Sequence, residues 1–355
     1  MAASRKKWNE MAQLIVGIVA HTVLALAAMW GAAALWFRLP GTPNQRRLAV
    51  TGWSLVALVL VMLGAQGIWP ASVVLLLLLA ALLIWWFRLQ PTHDRPWSAD
   101  VVHLATGEVR GERLTLHHVR DFDWHTRDEA DEHWEERSYD LERLDSVDMI
   151  VSSWGRPGVA HVMISFGFEG ERFVLFSVEV RRLKGERFSE IGGFFRQYEL
   201  AIVAADERDA VGLRTKVRGE RVSIYRLHMS RRAMRSLLLA YVDEANALVE
   251  SPRFYNTITA NCTTLIFDMA RGIGARLPFD YRLLVTDRLP GYAFKVGGLW
   301  PGHSLPELEA GGRIDERARQ VHRAPDFSQR IREGVPGWES LHVGESEVVE
   351  ERRGS

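Results

Sequence analysis

The chain has 355 residues, and its 44 Lys and Arg balance 44 Asp and Glu, so net charge points neither to nucleic acid nor to another polyanionic partner. A single cysteine, Cys262, excludes an internal disulfide and a cysteine-cluster metal site. Charges are nearly absent from residues 11–87 and dense beyond them, so the average composition describes neither part.

The first ten residues carry Arg5, Lys6 and Lys7 and lead into an apolar run, 11–37, too long for the core of a signal peptide. A polar loop with Pro40, Gly41 and Pro43 separates it from a second run, 49–69, and Trp69-Pro70 separates that from a third, 71–87. Three membrane crossings are expected, with two crossings and an interfacial third segment as the alternative. Tryptophans at the ends of these runs suit membrane interfaces. His21, inside the first run, is expected to face the bundle. Loop charges leave orientation nearly balanced, because Arg38, Arg46 and Arg47 offset the basic N-terminus.

From residue 89 the composition is that of a globular domain, expected to extend to residue 340 before a disordered acidic tail, 341–355. An extended segment at 113–119 precedes a charged stretch, 120–136, read as a solvated loop or edge. A buried strand is expected at 148–154. The clearest hairpin follows, with arms 159–168 and 172–181 joined around Glu169-Gly170. His161, Ser165, Ser177 and Glu179 are the polar side chains inside its arms. A tight turn would pair residue 161 with 178; one residue more or less would pair it with 179 or 177, so Glu179 or Ser177 can reach His161. A basic surface excursion is expected over 182–197, then strands at 198–206 and 222–227. Ser230 caps an amphipathic helix with Met234, Leu237, Leu238, Tyr241, Val242, Ala245 and Leu248 on one face. A glycine- and proline-rich tail with short helices begins at Leu277.

Cys262 opens a further helix. Asn261 is a good N-cap; Leu265, Ile266 and Met269 form an apolar stripe, and Gly272 is a natural C′ residue. The unpaired N–H groups and the dipole of a helix start favour a thiolate, whereas burial in the core would leave the thiol inert. A nucleophilic cysteine also needs a base. Of twelve histidines, His161 stands out because it lies in an apolar strand, where a polar ring needs a partner. Glu179 would orient it, although an ion pair of Glu179 with Arg181 or Arg208 is the competing use. No H-x-x-x-H, H-E-x-x-H or C-x-x-C spacing occurs, so neither a metal nor another cofactor is expected.

Ordered blocks along the chain carry a family resemblance. They are Val119-Arg120-Asp121-Phe122-Asp123-Trp124, Ser153-Trp154, Ala160-His161, Ser165-Phe166, Ser177-Val178-Glu179-Val180-Arg181, Tyr198-Glu199, Glu207-Arg208-Asp209, Leu213-Arg214-Thr215, Phe254-Tyr255-Asn256 and Asn261-Cys262-Thr263-Thr264. Over roughly residues 95–335 the chain resembles the Lnb N-terminal periplasmic domain family. That family takes its name from a bacterial lipoprotein N-acyltransferase, which moves an acyl chain from the lipid glycerol to the α-amino group of a lipoprotein's terminal cysteine. The resemblance implies an α+β domain of permuted papain-like or NlpC type, in which the histidine precedes the cysteine, as His161 precedes Cys262. It implies Cys262 as nucleophile, His161 as base, and a domain outside the cytoplasm.

The resulting expectation is a multi-pass inner-membrane protein, residues 1–88 in the membrane, with an extracytoplasmic cysteine acyltransferase or hydrolase domain acting on membrane lipid or lipoprotein. Asn261, Asn256 and Thr264 are the expected substrate or oxyanion residues. The alternatives are a cysteine peptidase or amidase acting on cell-wall peptides and a non-catalytic envelope binding protein.

Overall fold

The structure, a computed structural model, describes residues 2–169, 172–274 and 277–338. The hairpin turn residue Gly170 and the expected tail, 341–355, lie outside the described residues. The chain divides into two compact units: residues up to Thr92 together with Ser189–Gln197, and the remainder.

In the first unit, helices α1 (Ala2–Arg38), α2 (Pro43–Ala65) and α3 (Trp69–Arg88) are each long and apolar enough to cross a membrane. A capping box of Thr42 and Gln45 starts α2. Pro70 falls in the first turn of α3, where its missing N–H costs nothing, so Trp69-Pro70 opens the third helix and Gln66-Gly67 separates it from the second. His21 turns into the bundle: a side chain at Gly64 of α2 would lie 2.9 Å from its Nε2 and collide with Ser72 of α3. Trp53 of α2 donates to the Ala28 carbonyl of α1 at 2.8 Å. Residues 189–197, part of the expected surface excursion, belong to this unit. Phe195 stacks on Phe37 and Arg196 donates to the Trp86 carbonyl at 2.8 Å.

The second unit is mixed α+β. Its strands are β1 (Thr106–Arg110), β2 (Arg113–Arg120), β3 (Asp123–Trp124), β4 (Ala130–Asp131), β5 (Trp134–Asp140), β6 (Leu144–Ser153), β7 (His161–Phe168), β8 (Arg172–Arg181), β9 (Glu199–Ala205) and β10 (Arg221–Arg226). Among the described residues eight of them form one sheet, in the order β1-β2-β9-β8-β7-β6-β10 with β5 on β2. The pairs are antiparallel except β2 with β9. The short helix α4 (Glu190–Phe194) belongs to the first unit, and α5 (Glu207–Gly212) runs into a π-helical stretch, Leu213–Val217. Then come α6 (Arg231–Glu250), α7 (Cys262–Gly272), α8 (Leu289–Lys295), α9 (Leu305–Gly312), α10 (Asp315–Gln320) and α11 (Phe327–Arg330).

Strand alternation decides the layers. Val162, Ile164 and Phe166 of β7, with Phe176 and Val178 of β8, face a core built with Leu238, Tyr241 and Val242 of α6 and Cys262 and Met269 of α7. Met163, Leu175 and Val203 face the opposite core, with Ala210 of α5, Ala318 of α10 and Phe327 of α11. Buried on both faces, the central strands read as continuous apolar runs. The charged stretch 120–136 is more ordered than a solvated loop: Trp124 is buried and donates to Asp209 at 2.8 Å.

Two buried ion clusters anchor the second layer. Arg120 holds Asp209 through two hydrogen bonds, of 2.7 and 3.0 Å. Arg332, fully buried, spans Asp148 of β6 at 2.8 Å and both carboxylate oxygens of Glu207 at 2.5 and 2.8 Å, while Arg226 holds the other oxygen of Asp148. Burial raises the Asp148 carboxyl, but the two guanidiniums reverse that and hold it below its ordinary range. Removing one member of such a cluster strands the other charges in the core. Arg332→Ala is therefore expected to destabilise the domain by about 3–5 kcal/mol in denaturant unfolding of the detergent-solubilised protein. Arg330→Ala, which removes an exposed pair with Asp326, is expected to leave the transition in place.

Candidate active site

Cys262 is the first residue of α7, buried, with the helix start built around it. The Asn261 side-chain oxygen accepts from the N–H groups of Thr263 and Thr264, both at 2.9 Å, and the Thr264 hydroxyl accepts from the Asn261 N–H at 3.0 Å. This reciprocal cap fixes where the helix begins, and hence where the sulfur points. The left-handed glycine at the other end is Gly274, with φ of 95°, two residues beyond Gly272.

His161 begins β7, and its ring acts on the Cys262 thiol through its charge and hydrogen bonding. The β7–β8 ladder ends at Met163↔Ser177, in the register that sets residue 161 opposite 179. A three-residue connection between Phe168 and Arg172 produces that register. The polar groups that the hairpin presents to the ring are both used. His161 Nε2 lies 2.7 Å from the Ser177 hydroxyl and 3.3 Å from Glu179 Oε1, and Ser177 donates to the same oxygen at 2.7 Å. With Nε2 engaged there, Nδ1 is the nitrogen available to the thiol.

The ion partner of Glu179 is Arg214, at 3.0 Å, rather than Arg181 or Arg208. Arg181 is committed to the carbonyls of Val101 and Val102, and Arg208 to the carbonyl of Ala324. Arg214 sits on the π-helical stretch, its second guanidinium nitrogen on the Ala210 carbonyl at 3.0 Å. Leu213-Arg214-Thr215 carries no signal that singles out this arginine as the partner of Glu179.

These contacts set the protonation states. Burial pushes the Glu179 carboxyl up, but the charge and hydrogen bond of His161, the Arg214 charge and the Ser177 hydroxyl hold it well below its ordinary range. Burial pushes His161 down and Arg214 adds to this, yet the Glu179 charge and the hydrogen bonds to Cys262 and Glu179 raise it to about 9. Burial also pushes the Cys262 thiol up. The hydrogen bond and charge of His161, the Val162 N–H and the Thr263 hydroxyl outweigh it and lower the thiol below its ordinary value. The Val162 N–H can serve the sulfur because the ladder to β8 has already ended one residue away.

The structure thus brings Cys262, His161 and Glu179 together. Asn261, Asn256 and Thr264 serve the loop instead of presenting donors to the sulfur. Asn261 Nδ2 donates to the Thr257 carbonyl at 2.7 Å, Thr264 completes the cap, and Asn256 Oδ1 accepts from Ile258 and Thr259, both at 3.0 Å. Short polar side chains close such turns onto their own backbone. Among the described residues no three His, Cys, Asp or Glu side chains are arranged to hold a metal ion.

Residues 130–287 match the family model described as Lnb N-terminal periplasmic domain, a narrower span than the 95–335 of the resemblance. No curated protein and no solved structure matches the chain. The family description, together with three apolar helices of spanning length, fits a membrane protein with a periplasmic C-terminal domain. The matched residues include His161, Ser177, Glu179, Arg214 and Cys262, and over them the chain is similar to the Lnb N-terminal periplasmic domain family.

Proposed function

We propose that this protein is a thiol acyltransferase or hydrolase acting on lipid-bearing substrates, lipoproteins foremost, from a multi-pass anchor in the inner membrane. The observation that carries the reading is the line of contacts from Cys262 through His161 to Ser177 and Glu179, backed by Arg214. A histidine on the first residue of a strand, facing a cysteine on the first residue of a later helix, is the order expected of a permuted papain-like site.

The chemistry follows from the protonation states. The Cys262 thiolate attacks the carbonyl carbon of an ester-linked acyl chain, forming the S–C bond. In this reading the α7 backbone N–H at Cys262 receives the developing oxyanion. As the C–O bond to glycerol breaks, the His161 imidazolium gives its proton to the departing oxygen, leaving a thioester and a neutral ring. A lipoprotein amine, or water in the hydrolytic version, then attacks the thioester. His161 takes its proton, and the thiolate leaves. Glu179 and Ser177 hold the ring in orientation throughout and favour its charged form.

Cys262→Ala and His161→Ala are each expected to abolish the added acyl mass on lipoprotein N-termini, measured by mass spectrometry in cells with and without the variants, while the protein stays folded. Normal acylation in either would sink the catalytic assignment. Cleaved wall peptides with unmodified lipoproteins would make the amidase reading the better one.

The pH dependence has a definite sign. The reactive pair is thiolate with imidazolium, which exists above the lowered thiol pKa and below about 9. Acyl-enzyme formation should therefore be lost as pH rises through about 9. Glu179→Gln removes the charge that raises His161, so that alkaline limb should move to lower pH in single-turnover profiles. In His161→Ala, the largest offset to burial of the thiol is gone, and alkylation of Cys262 at neutral pH should slow. An unchanged alkylation rate would show that His161 does not set the state of the thiol.

A further inference from the structure

We infer that the rim of the Cys262 site is a lipid-docking surface. Trp154, Ile258, Phe279, Tyr281 and Leu284 enter the interfacial region of a phospholipid bilayer there. The inference rests on the acyl-transfer reading for its purpose and on separate observations for its geometry.

These five side chains are 39, 48, 75, 55 and 47% exposed. Each belongs to a segment that frames the reacting pair. Trp154 follows the last residue of β6, whose Ser152 pairs with His161. Ile258 tops the turn 256–260 that leads directly into Cys262. Leu284 lies two residues from Thr286, whose hydroxyl accepts the Ala160 N–H at 2.6 Å, just before His161. Phe279 and Tyr281 stand on the same stretch.

Their exposure is not slack in the chain. Leu283, Leu289 and Tyr292 from that stretch are buried in the core that holds Cys262. The backbone is clamped by Tyr292 on the Pro278 carbonyl at 2.8 Å, Arg282 on the Gly291 carbonyl at 2.9 Å and Lys295 on Asp280 at 3.1 Å. Fixed backbone that turns large apolar side chains outward around a reaction centre marks an interaction surface.

The occupant follows from composition and connectivity. Both acids of the stretch are engaged, Asp280 by Lys295 and Asp287 by the Gly158 N–H at 2.7 Å. The three basic groups outnumber them: Arg282 and Lys295 both lie on Asp280, and Arg288 lies on the Tyr281 hydroxyl. Aromatic and aliphatic side chains with a basic fringe suit the headgroup–acyl boundary. Residues 89–92 tether the domain to the last apolar helix, a span of about 14 Å at full extension, and residues 189–197 return to the apolar unit, so the domain stays tied to a membrane anchor.

The test uses the full-length chain with its cysteine removed by Cys262→Ala and one reintroduced by Phe279→Cys, Leu284→Cys or, as an exposed control on β1, Val109→Cys. Each protein is nitroxide-labelled and reconstituted in vesicles of phosphatidylethanolamine and phosphatidylglycerol, and collisions with dissolved oxygen and with a water-soluble nickel chelate are compared. Labels at 279 and 284 are expected to favour oxygen over the chelate several-fold more than the label at 109. Equal, water-like behaviour at all three would overturn the inference, as would labels shielded from both reagents, which would indicate a second copy of the chain or another protein on the surface. Because the thiol is absent, the outcome does not depend on catalysis. Water-exposed labels alongside normal lipoprotein acylation by the native chain would remove lipid docking alone; lipid-exposed labels without acylation would remove the acyltransferase reading alone.

Discussion

The site depends on one half-buried carboxylate, Glu179. Glu179 has an imidazole on one side and a guanidinium on the other, with a serine hydroxyl between it and the ring. A carboxylate in such a place is costly unless both its charge and its lone pairs are satisfied. Arg214 and His161 balance the charge, and Ser177 supplies a further donor. The group that requires partners for its own burial is the group that raises His161. The same interactions that make the strand foldable set the protonation state of the base.

Arg214 can do this only if its backbone is held still, and the rest of the second layer does that. It lies just beyond α5, whose Glu207 is gripped by Arg332 and whose Asp209 is gripped by Arg120, Trp124 and the Phe122 N–H. The helix then changes to π geometry over Leu213–Val217. Local π geometry is frequent at functional sites because it re-aims a side chain. Here the re-aimed side chain is the one that meets Glu179. The ion clusters around α5 lie away from the sulfur, yet they fix the origin of the charge relay that ends at it.

Much of this arrangement was legible in the chain. Alternating arms made the hairpin plain, and Ser230 and Asn261 marked the starts of α6 and α7 because short polar side chains cap orphan N–H groups. Ser177 and Glu179 stood out as polar side chains in apolar strands. The register did not, because one residue more or less in the turn sets residue 161 opposite Glu179 or opposite Ser177. The partner of Glu179 was also hidden: Arg214 is 35 residues away, and pattern cannot choose among several arginines. Asn256, Asn261 and Thr264 gathered near the cysteine for a different reason from the one their chemistry suggested. They build the turn and the cap. Trp69-Pro70 read as the end of a helix and proved to be a beginning, since proline is as good in a first turn as it is bad in an interior one.

A lone cysteine at a helix start was as compatible with an inert thiol as with a nucleophile, and burial by itself favours the inert form. What reverses the balance is not the helix but the chain of charge behind it. The thiolate needs imidazolium beside it; the imidazolium, half-buried, needs Glu179; and Glu179, half-buried, needs both His161 and Arg214. Each link offsets the desolvation of the one before it. The thiol therefore owes its lowered pKa chiefly to His161, whose charge Glu179 sustains against the opposing pull of Arg214. The helix N-terminus is therefore not solely responsible for the thiolate, and the Asn261 side chain serves the cap and the Thr257 carbonyl without weakening it.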